Sequence, residues 1–195
     1  LREMPAPLRP LLVGDTLVRF ANGMVYVFFV LVVTQFFQVG LETSVALGGF
    51  AYAVDLSPQA FFGYLLGVEM LVALLIMVPA SKLAERVGLK PVVAVGFAVY
   101  AVFPVVLIYA PALAGSALPL WAVMVAVFAF SGLRFAGLPS HKALIVGPAE
   151  RGAGGRVTGT YYLLRNTAVI PSAAVGGYLW EFVSPEVAFT VAAVI

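Results

Sequence analysis

The sequence predicts an all-α polytopic membrane protein, a transmembrane bundle of five complete helical spans and the start of a sixth. Three observations carry that prediction. Of 195 residues, 63% are apolar and 10% are charged, against ~45–50% and ~25% in a soluble domain. Such a chain cannot cover a water-facing surface, which excludes a soluble core and a disordered chain. The apolar residues also come in long runs, near the ~20 needed to cross a ~30 Å hydrocarbon layer as helix. Short segments rich in Gly, Pro and charge separate those runs, and the basic residues alternate from one connection to the next.

In order, residues 1–11 read as a polar, proline-rich cytoplasmic linker, and 12–195 as the transmembrane bundle. The first span is expected at about 12–38. The connection at 39–60 carries Glu42, Gly48, Gly49, Asp55, Ser57 and Pro58, and its apolar middle is placed at the membrane interface. A second span follows at about 61–80, and a short charged turn at 81–90. The third is placed at about 91–109, ended by a turn at 111–119, and the fourth at about 119–146. After a glycine-rich polar turn at 147–156 comes the fifth, at about 157–183. Ser184-Pro185 opens a truncated sixth at 186–195. Pro104, Pro139 and Pro171 fall inside spans, where neighbouring helices and waters can satisfy the freed carbonyls. Leu1 is not an initiator, and residues 187–195 supply only about 14 Å of helix. The chain therefore reads as a fragment of a longer membrane protein, with no removable signal peptide.

Topology follows from the basic residues, which are held on the cytoplasmic side. Arg2 and Arg9 lie in the linker, Lys82, Arg86 and Lys90 in the second connection, and Lys142, Arg151 and Arg156 around the fourth. The other connections have none. This predicts a multi-pass protein of the cell membrane with its N-terminus and the loops at 81–90 and 147–156 in the cytoplasm. No cysteine and a single histidine, His141, leave no thiolate or His-based metal site, and no cofactor is expected. The net charge of +2 is too small and dispersed for a nucleic-acid partner.

An ionisable side chain at membrane depth is costly and normally faces a bundle interior or a water cavity, so the charges left inside spans are the candidate pathway residues. Asp15 and Arg19 lie four apart on one helical face, and Asn22, Tyr26, Thr34 and Gln38 continue the stripe. As the bland alternative, Asp15 and Arg19 form a helix-end pair, with the arginine reaching the headgroups. Glu69 sits mid-span in the second helix, too deep to snorkel easily; it serves proton or substrate chemistry, or pairs structurally with Arg134 or Arg165. Ser131, Arg134 and His141 share a face of the fourth span, with His141 expected near the cytoplasmic interface. Thr158, Tyr161, Arg165 and Ser172 share a face of the fifth. Most aromatics read as packing or lipid-facing residues, Tyr26 being the exception, and Gly63-x-x-x-Gly67 reads as close helix packing. An intramembrane hydrolase is disfavoured: Ser131 and His141 are ten residues, ~15 Å, apart on one helix, beyond nucleophile–base reach.

The segment Ser81-Lys82-Leu83-Ala84-Glu85-Arg86-Val87-Gly88-Leu89-Lys90 resembles the signature of the major facilitator superfamily, Gly-x-x-x-Asp-Arg-x-Gly-Arg-Arg/Lys. Glu85, Arg86, Gly88 and Lys90 fill its acidic, basic, glycine and final basic positions, while Ser81 replaces the first glycine and Leu89 an arginine. Those departures, the linker at 1–10, Arg151-Gly152 through Gly159 and Gly176-Gly177 resemble the second six-helix half of that family; the first half is the rival placement. The resemblance implies that the first, second, fourth and fifth spans border a central cavity, with the third and sixth outside. It also implies a secondary transporter of a small-molecule substrate, completed by a missing six-helix half and working by alternating access. Glu69 would be its proton carrier, Arg134 and Arg165 its partners or substrate anchors, and Glu85, Arg86 and Lys90 a charged clasp on the cytoplasmic face. A non-transporting receptor or scaffold bundle is the alternative.

Overall fold

The computed structural model describes residues 5–47, 50–115, 118–148 and 154–195, with side chains described outside 43–52. It is an all-α bundle with one small addition, a β-hairpin. Four helical stretches are long and apolar enough to cross a membrane: Leu8–Phe36, Pro58–Val87, Leu89–Ile108 and Leu120–Val146.

The first stretch begins at Leu8, inside the expected linker. It runs as α1 (Leu8–Val25), a short α2 (Phe28–Leu31) and a π-helical turn over Val32–Phe36. The polar stripe expected along it is therefore divided: Asp15 and Thr34 are buried, while Tyr26 and Gln38 are exposed. The connection expected as an interfacial apolar segment is instead an antiparallel hairpin, β1 (Leu41–Leu47) with β2 (Phe50–Leu56), registered Glu42 opposite Asp55 and Val45 opposite Tyr52. β-branched and aromatic residues in both strands suit that pairing. Gly48 and Gly49, between the strands, lie outside the described residues.

α3 (Pro58–Val87) starts where the Ser57 hydroxyl accepts from the Ala60 amide, with Pro58 in its first turn, a position where the missing N–H costs nothing. At 30 residues it is ~45 Å long, and it absorbs most of the charged turn expected at 81–90. Only Gly88 breaks it, at φ +93°, a conformation that favours glycine. The buried positions of α3, Phe61, Leu65, Glu69, Ala73, Ala80 and Ala84, keep one helical face inward, and Glu69 stands in the middle of that face.

α4 (Leu89–Ile108) matches the expected third span, and a short α5 (Ala110–Leu113) follows it. The fourth stretch is α6 (Leu120–Gly132), a 3-10 segment Leu133–Gly137 and α7 (Leu138–Val146). Pro139 explains the interruption, because its ring displaces the carbonyl four residues back, at Phe135. The expected fifth span is two helices, α8 (Gly154–Val169) and α9 (Ser172–Phe182), parted at Pro171 for the same reason. α10 (Pro185–Val194) has 10 residues.

Since lipid is as apolar as leucine, such helices associate through close packing at small residues. A Cβ added to Gly176 of α9 would overlap the Met24 carbonyl oxygen of α1, and one on Gly132 of α6 would lie 2.7 Å from the Glu69 carbonyl oxygen of α3. A Cβ on Gly96 of α4 would approach the Arg134 carbonyl oxygen to 3.2 Å. By contrast, Gly63 and Gly67 meet nothing within 4 Å, so the packing expected of that pair is not made within the described residues. The resulting pairing sets α1 against α8 and α9, α3 against α6 and the 3-10 segment, and α4 against α10. Phe29, Phe103, Phe128 and Phe189 fill the core between them.

Candidate functional site

Two ionic clusters lie inside the bundle. The first is built on Asp15 of α1, which is fully buried. Its Oδ2 accepts a hydrogen bond from Arg165 Nη1 at 3.0 Å and from the Tyr161 hydroxyl at 3.2 Å. His141 Nε2 lies 3.2 Å from the same oxygen, off the hydrogen-bond line. Oδ1 faces Arg19 Nε at 3.5 Å, one turn further along α1. α1, α7 and α8 thus converge on one carboxylate. Arg165 is steadied from its far side by Asn166, whose Oδ1 accepts from its Nε and Nη2, and its guanidinium lies 4.6 Å from the Tyr162 ring centroid.

The second cluster is built on Glu69 of α3, 2% exposed. Its Oε1 accepts from the Ser131 hydroxyl at 2.7 Å and pairs with Arg134 Nη2 at 2.5 Å. Arg134, 5% exposed, sits in the 3-10 segment and lies 5.0–5.4 Å from the ring centroids of Tyr100, Phe103 and Phe135. Aromatic faces at that range stabilise a guanidinium shielded from water. Gly132, two residues before, lets α6 close on α3 so that the pair can form.

Tyr100 of α4 joins the clusters. Its hydroxyl accepts from Arg19 Nη1 at 3.1 Å, and its ring centroid lies 5.1 Å from the Arg19 guanidinium and 5.2 Å from that of Arg134. One aromatic side chain is therefore flanked by two cations, each tied to a different carboxylate. Chemically, such an arrangement can exchange ion-pair partners or redistribute protons among carboxylates, phenols and imidazole. Among the described residues no group of three or more metal-ligating side chains comes together.

Of the sequence candidates, Asp15, Arg19, Glu69, Arg134 and Arg165 enter these clusters, with one correction. Arg165, offered as a partner for Glu69, binds Asp15 instead, because α8 packs on α1 and not on α3. The pair expected between Asp15 and Arg19 is present, Oδ1 to Nε at 3.5 Å, and the buried Asp15 is also met by side chains of two other elements, α7 and α8. Asn22 is partly buried, its Oδ1 without a partner among the described residues, and Tyr26 is 57% exposed, edge-on to Phe29. Glu85, Arg86 and Lys90 are exposed around Gly88 and form no ion pair among the described residues. Arg151 and Gly152 lie outside the described residues.

Sequence reasoning missed Tyr100 and set His141 apart from the candidate site, whereas it is 4% exposed, packed by Phe97 and Tyr161 and 3.2 Å from the Asp15 carboxylate. The face shared by Ser131, Arg134 and His141 was the available signal for His141. Tyr100 had none, lying in a span without charge that the resemblance sets outside the cavity. No protein-family model and no curated protein matches this chain.

Proposed function

We propose that this chain is one six-helix half of a secondary active transporter of the major facilitator type, moving a small solute across the cell membrane by alternating access. The observation that carries the reading is the pair of buried ionic clusters. A bundle facing lipid has no need of five ionised side chains, and charges at membrane depth mark ion or substrate paths by default. They sit on the first, second, fourth and fifth stretches, those expected to border a cavity.

The helix pairing adds support. Exchanging the first three stretches for the last three maps first-with-fifth onto fourth-with-second and leaves third-with-sixth unchanged, and the same exchange carries the Asp15–Arg165 pair onto the Arg134–Glu69 pair. Each crossing reverses the chain, so the triplets run oppositely, as in transporters built from inverted repeats. α8–α9 completes the fifth crossing and α10 begins the sixth. α3 is the least buried of the four apolar stretches, 22% against 50% for α4 and for the Leu120–Val146 stretch, and its open face is where the other half docks.

In this reading Glu69 carries the coupling proton and releases Arg134 when protonated. Asn22 and Tyr26 extend the pathway along the first stretch, and Glu85, Arg86 and Lys90, hinged at Gly88, hold the cytoplasmic face through contacts with the other half. The N-terminus and the loops at 81–90 and 147–156 are cytoplasmic. The second reading, a non-transporting bundle, is favoured by one feature: Asp15 is already surrounded by four neighbours, as a purely structural ion would be. To separate them, full-length protein is screened for thermal stabilisation against a metabolite panel, and the stabilising solute is followed into proteoliposomes under an imposed pH gradient. Gradient-driven accumulation that Glu69→Gln abolishes is expected; no stabilising solute, or accumulation indifferent to Glu69→Gln, favours the second reading.

A further inference from the structure

A cleft of about 350 Å³ lies between α3 and α4, beside the Gly88 break that joins them. Ile76, Leu83 and Val87 form one wall, Val95 and Val99 the other, and Ala136 of the 3-10 segment also borders it; every residue that lines it is apolar. Leu83, Val87 and Val95 are each more than half exposed, so the cleft is open to its surroundings. Its volume is that of a ligand pocket, ~300–1,000 Å³, yet it offers a polar solute no hydrogen bond.

Length and charge identify an occupant. From Ile76 to Val87 the wall is ~16 Å long, the depth of one leaflet of a ~30 Å hydrocarbon layer. At 30 residues α3 outruns that layer, so its charged last turns stand among headgroups. There the charge is one-sided. Residues step ~100° round a helix, which sets Arg86 ~80° from the middle of the lining face and Glu85 nearly opposite it. Lys90 directly precedes Pro91, which lines the cleft. Both cations are exposed, and neither has an ion-pair partner among the described residues. Basic residues at the cytoplasmic end of a gap between membrane helices suit an anionic headgroup. The face of α3 offered to the other half is a different one, since Leu74 and Val78, both exposed, lie on the far side of the helix from the cleft.

We propose that this cleft is a binding site for one anionic phospholipid, with an acyl chain lying between α3 and α4 and the phosphate held by Arg86 and Lys90. In the transport reading the lipid competes with the other half for those two side chains. The site itself requires only that this end of the bundle lies in a bilayer, so its failure leaves the transport reading standing.

The test uses purified full-length protein in detergent micelles, titrated with dioleoyl-phosphatidylglycerol or dioleoyl-phosphatidylcholine, with retained lipid counted by native mass spectrometry. One phosphatidylglycerol is expected to bind with a midpoint at least about fivefold below that of phosphatidylcholine. Dihexanoyl-phosphatidylglycerol, which carries the headgroup on short chains, binds at least about tenfold more weakly than the dioleoyl lipid. Arg86→Gln with Lys90→Gln removes the headgroup preference, whereas Arg86→Lys with Lys90→Arg keeps it. Val95→Trp, which narrows the cleft from an exposed wall and touches no charge, raises the phosphatidylglycerol midpoint to that of phosphatidylcholine or above, and keeps the test decisive should the glutamine pair fail to fold. No preference between the headgroups, a preference that survives Arg86→Gln with Lys90→Gln, or binding indifferent to Val95→Trp or to chain length overturns the proposal.

Discussion

Breaking the Glu69–Arg134 pair from one side should cost far more than removing it whole. With Glu69 2% and Arg134 5% exposed, neither charge regains water when its partner is lost. Glu69→Gln keeps the shape and still accepts from the Ser131 hydroxyl, retaining that bond's ~1 kcal/mol, but strands the guanidinium at a cost of ~3–5 kcal/mol. Arg134→Met strands the carboxylate at a similar cost. The double variant removes both charges while keeping volume, and such replacements are often neutral or better. The singles therefore sum to ~6–10 kcal/mol and the double to no more than ~2, a coupling of at least ~4 kcal/mol, above the ~0.5–3 kcal/mol usual for contacting residues. The assay is a double-mutant cycle of unfolding in mixed micelles titrated with a denaturing detergent, followed by the fluorescence of Trp121 and Trp180. Additive singles, with coupling within ~0.5 kcal/mol, would refute the reasoning.

Four further outcomes are expected. Gly176→Ala, whose Cβ would meet the Met24 carbonyl, should destabilise by ~1–3 kcal/mol through overpacking, while Gly177→Ala, open to 4 Å, should change stability by less than ~0.5 kcal/mol; equal effects would deny the close approach of α1 and α9. In the same unfolding assay Tyr161→Phe should lose the ~1.5–3 kcal/mol of a hydrogen bond to a charged acceptor, and Asp15→Asn more, since it strands two arginines; a larger loss for Tyr161→Phe would contradict the ordering. Tyr100→Leu should lower stability by ~2 kcal/mol through a desolvated cation–π contact with Arg134 and a part-exposed one with Arg19, and no loss would mean the arginines do not lean on the ring. Because the chain has no cysteine, Lys82→Cys and Glu186→Cys can report topology: a membrane-impermeant maleimide should reach them from opposite sides, and labelling from one side would break the alternation of crossings.

The four helical stretches long and apolar enough to cross a membrane were legible because burying polar backbone in lipid forces long apolar runs, and α4 lies within two residues of its expected ends. The charged members of the clusters were legible for the same reason, since Asp15, Glu69, Arg134 and Arg165 each carry a desolvation cost that only a bundle interior relieves. Which arginine meets which carboxylate was not legible. Arg134 and Arg165 both lie inside their spans, and only the approaches of α1 to α9 at Gly176 and of α3 to α6 at Gly132 decide between them. Tyr100 escaped because a phenol carries no charge to betray its burial, whereas Tyr161 was legible only through sharing the face of Arg165. Pro139 and Pro171 were recognised as interior prolines, yet how far a chain yields to one, here a 3-10 segment and a divided helix, depends on the neighbours. The hairpin did leave a signal, Gly48-Gly49 between two runs of β-formers, which mean hydropathy alone passes over.

The transport reading stands most directly on whether the charged face of the first stretch is reachable from both sides of the membrane. Asn22, on the face of Asp15 and Arg19, is the position to ask. In full-length protein lacking other cysteines, Asn22→Cys in sealed vesicles is exposed to a membrane-impermeant maleimide from outside, and in inverted vesicles from the opposite side. Alternating access predicts labelling in both orientations, with a bound solute shifting the balance between them; labelling from one side only, or from neither, would contradict it.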